Sequence, residues 1–165
     1  MRLASYDESD PHFVRDLRKS VEACEVVASW LNRHGFVATV KPLKIRPNAE
    51  SMRGYSDDGD IAATTPDGRS IRVEVKHRGI RFTGEGNRPY PFPTVIVDVA
   101  HAWENANPKP AGYVITNPEM TVAAVVSSRT AAQWVRVRKF DVPKQRWRTF
   151  YEAPLSVVRF RKLDA

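Results

Sequence analysis

A single cysteine, Cys24, in 165 residues excludes an internal disulfide and a cysteine-rich zinc site. The four histidines, His12, His34, His77 and His101, are spread without the short pair spacings of metal-binding motifs. Apolar runs such as Val122 to Val126 fall far short of the roughly 20 residues a membrane helix needs, and the first ten residues turn acidic, unlike a secretory leader. There is no Walker A loop and no Gly-x-Gly-x-x-Gly turn, so a metabolic enzyme built on a nucleotide cofactor finds no motif here. No repeat, low-complexity tract or Gly/Ser linker divides the chain. The expectation is one soluble, cytoplasmic domain over residues 1–165, with no membrane partner, long enough to bury about two-thirds of its unfolded surface.

What is present is positive charge, unevenly placed. Lys and Arg number 26 against 19 Asp and Glu, a net +7. Between Arg129 and Lys162 ten cations meet only Asp141 and Glu152, so this stretch alone carries +8. Trp134, Phe140, Trp147, Phe150 and Tyr151 are interleaved with those cations, a mixture that suits phosphate contacts beside stacking on bases. A solvated basic face over an ordinary aromatic core is the competing account. Lys139, Arg146 and Arg148 are the first candidates for nucleic-acid backbone contacts.

Periodicity points to an α/β fold with a central mixed sheet flanked by helices. Asp10 and Pro11 resemble an N-cap and first helical residue, and Phe13, Leu17, Val21, Cys24, Ala28 and Leu31 recur at helical spacing until Gly35. This predicts a helix over 11–34. A strand follows around Phe36 to Val40, then an irregular loop from Pro42 to Asp60. Ile61 to Thr65 and Arg69 to Lys76 flank Pro66-Asp67-Gly68, the signature of a three-residue hairpin turn with glycine in the left-handed position. Thr65 opposite Arg69 then places Ile61 opposite Val73, and Asp60 opposite Glu74. Further strands are expected at Val95 to Val97, Gly112 to Thr116 and Val122 to Val126, with a short helix around Ala100 to Ala106. A helix over Thr130 to Lys139 and a closing strand over Pro154 to Phe160 complete the expectation. Gly79 to Pro93 reads either as a mobile substrate loop or as an ordered crossover.

The chemistry concentrates on the second hairpin strand. Alternation sends Ile71, Val73 and Val75 to one face and Arg72, Glu74 and Lys76 to the other. Asp60 and Glu74, as cross-strand neighbours, would have Cβ atoms roughly 5 Å apart. Two facing carboxylates repel, so they sit in full solvent, share a proton or hold a cation. A divalent cation uses both acids. Their oxygen ligands suit Mg²⁺ or Mn²⁺, and the nearby Lys76 can orient or deprotonate a water or stabilise charge developing on a phosphate.

Asp60, thirteen intervening residues, then Glu74-Val75-Lys76 on a strand, after an amphipathic helix carrying acids, resembles the PD-(D/E)XK phosphodiesterase superfamily. The resemblance spans roughly residues 10–117. It implies a restriction-endonuclease-like core and a magnesium-dependent hydrolase, an endonuclease acting on DNA. It also implies that Asp60, Glu74 and the Val75 carbonyl hold the metal while Lys76 assists catalysis. Many members carry a further glutamate on the first helix; Glu22 and Glu25 are both available, and Glu25 is preferred because Val21 and Ala28 flank it on the inner face. Gly59 stands where the family often has proline. A nuclease-fold module that binds nucleic acid or protein without cutting is the alternative, and the sequence leaves open whether a homodimer forms.

The remaining polar residues receive simpler roles. Arg78, with His77, follows the motif and is a candidate for phosphate contact, although a strand end rich in cations is commonly just solvated. Asp57 and Asp58 are read as turn formers. Asp98 is read as the N-cap of the short helix rather than a metal ligand, and His101, Trp103, Trp30 and Trp134 as packing.

Overall fold

The structure is a computed structural model that describes residues 11–42, 60–142 and 144–165. Along the chain run α1 (Pro11–Arg33), β1 (Val37–Val40), β2 (Ile61–Thr64), β3 (Ser70–His77), β4 (Thr94–Val99), α2 (Ala100–Asn105), β5 (Gly112–Thr116), β6 (Val122–Ser127), β7 (Val135–Asp141), β8 (Arg146–Pro154) and β9 (Val158–Lys162). Asp10 and most of the Pro42 to Asp60 loop, with Asp57 and Asp58, lie outside the described residues. Among the described residues no helix is long and apolar enough to cross a membrane.

α1 forms because apolar side chains return every third or fourth residue. Ala23, Cys24, Val27, Ala28 and Leu31 make its buried stripe. It stops where Gly35 adopts φ +85°, the Gly35 N–H donates to Asn32 O and the Phe36 N–H donates to Leu31 O, which satisfies carbonyls that the helix end leaves over. The Asn32 side chain then accepts from the Ala38 N–H at 2.8 Å, tying the first strand to the helix.

Two sheets follow. The larger has the order β1-β2-β3-β5-β6-β9 and the smaller β4-β8-β7. Every neighbouring pair is antiparallel except β3 and β5, which run parallel and are joined by a long crossover containing β4 and α2. α1 covers one face of the large sheet, where Ala23, Val27 and Leu31 meet Ile61, Val73, Val75 and Val114. The small sheet and α2 lie against the opposite face, where Val95, Val97, Trp134 and Ala153 meet Tyr113, Ile115, Ala124 and Val126. The layering is helix, mixed sheet, small sheet. It explains why Val114 and Ile115 are both buried: the central strand has protein on either side.

The turn at Pro66-Asp67-Gly68 forms as its residues predict. Gly68 takes φ +89°, its N–H donates to Thr65 O, and the Thr65 N–H donates to Arg69 O. Ile61 consequently pairs with Val73 and Ala63 with Ile71. The segment Gly79 to Pro93 packs Phe82 and Tyr90 into the core and is an ordered crossover.

Three expectations change. Thr130 to Lys139 is not a helix: a 3₁₀ turn over Ser128–Gln133 leads into β7. The alternation Val135-Arg136-Val137-Arg138 has the period of a strand, and cross-strand partners on β8 decide the matter. Leu155–Val157 is likewise a 3₁₀ turn, so the closing strand begins only at Val158. His101 is exposed rather than packed, whereas Trp103 packs edge-on against Trp134 at 4.8 Å.

Two glycines offer a test of these constraints. A Cβ on Gly68 would meet nothing within 4 Å, whereas on Gly84 (φ +70°) it would meet Phe160 Cβ and Val122 Cγ1, each at 2.9 Å. Gly68→Ala is expected to cost about 1 kcal/mol from backbone strain alone. Gly84→Ala adds overpacking and is expected to cost roughly 2–4 kcal/mol. Urea unfolding of both variants checks the ranking.

Candidate active site

The β2–β3 register ends at the Ile61–Val73 pair, and Asp60 stands one residue before it. Both side chains are buried, Asp60 at 2% and Glu74 at 5% exposure. Asp60 Oδ2 accepts the Val75 N–H at 2.8 Å, so its carboxylate rests against the main chain between Glu74 and Lys76. The Lys76 ammonium lies 4.0 Å from Glu74 Oε1. The sequence-derived trio of Asp60, Glu74 and Lys76 is thus brought together.

A third carboxylate joins them. Asp98, at 6% exposure, approaches Lys76 more closely than Glu74 does, with Oδ1 3.5 Å from the ammonium. It reaches this position through a β-bulge. In β4, Ile96 pairs with Glu152 but Asp98 pairs with Tyr151, so Val97 is an extra residue. Strict alternation from the buried Val95 and Val97 would turn Asp98 outward; the bulge turns it toward the large sheet. Asp98 Oδ2 then accepts from the buried Tyr113 hydroxyl at 3.0 Å, and Oδ1 from the Val99 N–H at 2.8 Å. Its expected N-cap role is corrected: α2 is preceded by Val99, with no side-chain cap.

Charge balance in this pocket is tight. Burial, the largest single influence, draws Lys76 toward its neutral form, but the charges of Asp98, Glu74 and Asp60 together outweigh it and hold its pKa above the usual lysine value. Lys76 is therefore an ammonium at neutral pH, a donor and a positive charge rather than a base. Burial and then the Asp98 charge raise the Tyr113 hydroxyl above its ordinary range, so it remains a proton donor to Asp98. On the helix side of the sheet, burial and the charge of Asp60 push the Cys24 thiol up to about 12.

Arg78 is half-buried and turned to the main chain of β4. Its guanidinium donates to Ile96 O at 2.7 Å and Val97 O at 2.9 Å, the carbonyls at the bulge. It is a clamp between the end of β3 and β4. His77 is half-buried with Nδ1 2.9 Å from Thr116 Oγ1. Glu25 and Glu22 are both exposed on α1. The half-buried Val21 and buried Ala28 beside Glu25 do not carry its carboxylate inward, because the buried stripe runs through Cys24, Val27 and Ala28. The cationic candidates divide: Arg146 is exposed, but Lys139 pairs with the buried Glu152 at 2.6 Å and Arg148 with Asp141 at 2.7 Å.

An all-oxygen donor set suits a hard cation such as Mg²⁺ or Mn²⁺. Two buried carboxylates beside one stretch of strand main chain fit that chemistry and leave the remaining positions to water and substrate oxygens. Among the described residues, no three His, Cys, Asp or Glu side chains group as a ready-made metal cage. Compared with known proteins, the chain matches no family model, no curated protein and no solved structure.

Two measurements follow from this geometry. Native protein at pH 8 should resist a thiol reagent and label fully at Cys24 only after unfolding. Because the folded thiol titrates above the unfolded one, its contribution is intact below the unfolded pKa and lost as pH rises toward 12. Urea stability should therefore fall by up to about 1.4 kcal/mol per pH unit more steeply in the wild type than in Cys24→Ala above pH 9. Arg78→Lys cannot reproduce the forked contact to two carbonyls and should lose roughly 1.5–3 kcal/mol in the same assay.

Proposed function

We propose that this protein is a metal-dependent nuclease that hydrolyses phosphodiester bonds in DNA. The observation that carries the reading is the pair of buried carboxylates, Glu74 and Asp98, on the Lys76 ammonium, with the buried Asp60 accepting from the Val75 N–H of the same strand. Buried carboxylates cost stability unless compensated, and their gathering at one point of a sheet is characteristic of a site rather than of a core. The order α1-β1-β2-β3, a crossover through α2, and β5 parallel to β3 agrees with the restriction-endonuclease-like core that the sequence resemblance implies.

In this reading Asp60, Glu74 and the Val75 carbonyl hold Mg²⁺ or Mn²⁺, which when bound supplies positive charge to the phosphate and lowers the pKa of water. Lys76 donates to the attacking water and stabilises charge developing on the phosphate oxygens. Asp98 is a positioning residue: held by the Tyr113 hydroxyl, it fixes where the ammonium sits. Glu25, exposed on α1, keeps only the supporting role that the resemblance implies.

A second reading, a nuclease-fold module that binds nucleic acid or protein without cutting, is favoured by one observation. The Lys76 ammonium already has carboxylate neighbours on two strands, an arrangement that is also self-compensating as structure.

Incubation with linear, circular, single-stranded and branched DNA, in Mg²⁺, Mn²⁺ or EDTA, separates the two. The nuclease reading expects metal-dependent cleavage, lost by at least a hundredfold in Glu74→Ala. Asp98→Asn should lower kcat by about ten- to a hundredfold with little change in KM. Absence of cleavage from every substrate, with salt-sensitive binding intact, would establish the binding module.

A further inference from the structure

The β7–β8 hairpin extends past β4. β4 pairs with β8 only from Phe150 to Pro154, whereas β7 follows β8 down to the Asp141–Arg146 pair. The overhanging tip, residues 138–148, holds five cations and one acid, a charge of +4. Its two faces differ. On one, Lys139 and Arg148 are engaged by Glu152 and Asp141. On the other, Phe140 and Trp147 face each other as a cross-strand pair, edge-on at 5.8 Å, and are 44% and 57% exposed. The Arg138 guanidinium lies over the Trp147 ring, 5.0 Å from its centre.

This exposed face continues the side of the small sheet that packs on the large one. Ala153 and Tyr151 belong to the core there, and Thr149 and Trp147 follow at the same alternation beyond its edge. Tyr151 pairs with Asp98, so Trp147 is four residues along β8 from the row of the acidic cluster. At a strand's rise that is about 13 Å, roughly two nucleotides of extended single strand.

We infer that the Arg138, Phe140 and Trp147 face is a stacking platform for unpaired nucleotides, which selects DNA carrying a single-stranded segment next to the acidic cluster. Two aromatic rings and a guanidinium plane presented to solvent stack on any base whose face is open, and the surrounding cations neutralise its phosphates. Bases inside a duplex have their faces covered, so the platform discriminates against uninterrupted duplex. A second copy of this chain is a poor occupant, since it would bring +4 against +4. The inference takes from the proposed function only that the partner is DNA, and it stands with or without cleavage.

The test is fluorescence anisotropy of labelled oligo(dT) and of a closed duplex without overhangs, in EDTA, with the full chain and with Trp147→Ala, Trp147→Phe and Phe140→Ala. Unchanged melting temperatures establish that the variants fold. Oligo(dT) is expected to bind more tightly than the duplex, with about tenfold weakening in Trp147→Ala, a smaller loss in Phe140→Ala and near-wild-type affinity in Trp147→Phe. Equal binding by wild type and Trp147→Ala overturns the inference, as does a preference for the closed duplex. A concentration-dependent dimer abolished by Trp147→Ala also overturns it, because the face would then be occupied by a second copy. Metal-dependent cleavage with binding indifferent to Trp147 removes the platform and leaves the nuclease; Trp147-dependent binding without cleavage removes the nuclease and leaves the platform.

Discussion

Three buried carboxylates, two of them on one ammonium, impose the constraint on which the architecture turns. Asp60 immediately precedes β2, Glu74 lies on β3 and Asp98 on β4, and burying such carboxylates costs stability unless a cation or hydrogen-bond donors lie nearby. Lys76 supplies charge to two of them. The Val75 N–H supplies a bond to Asp60, and Tyr113 with the Val99 N–H supplies bonds to Asp98. Meeting these demands requires β2 in one register against β3, β5 beside β3, and β4 crossing above with an extra residue.

The two cores serve this arrangement in different ways. The helix-side core is aliphatic and fixes β2 and β3 through Ile61, Val73 and Val75. The opposite core is aromatic, with Trp103, Trp134, Tyr113 and Tyr151 in contact, and it seats β4 and the root of the β7–β8 hairpin against the large sheet. The contacts of Asp98 with Lys76 and Tyr113 lie on this aromatic side, where Tyr113 belongs both to the packing and to the hydrogen bonding of Asp98.

Local rules made part of this legible in the sequence. Pro66-Asp67-Gly68 defines a turn, and the turn defines a register that sets Ile61 opposite Val73 and leaves Asp60 one residue before that pair. The span of α1 and the whole of β5 were equally readable from periodicity and glycine. What escaped depended on partners distant in the chain. Asp98 was unreadable because a bulge defined by β8, more than fifty residues later, reverses its direction. Arg78 looked like a surface cation because nothing in its neighbourhood names the carbonyls it serves. β7 and β8 were obscured by charge: Arg and Lys at alternating positions read as a solvated helix or loop until the pairing of Lys139 with Arg148 and Phe140 with Trp147 reveals a ribbon.

The forked contact of Arg78 with the two bulge carbonyls gives the molecule a mechanical property. The same strand that ends in Lys76 and His77 holds, through Arg78, the turn of main chain that presents Asp98. Lysine and aspartate are therefore referenced to one another by a rigid strut two residues long instead of by separate loops. Any ligand arriving at the cluster meets an electric field whose direction is already fixed, and no reorganisation energy is spent on assembling it.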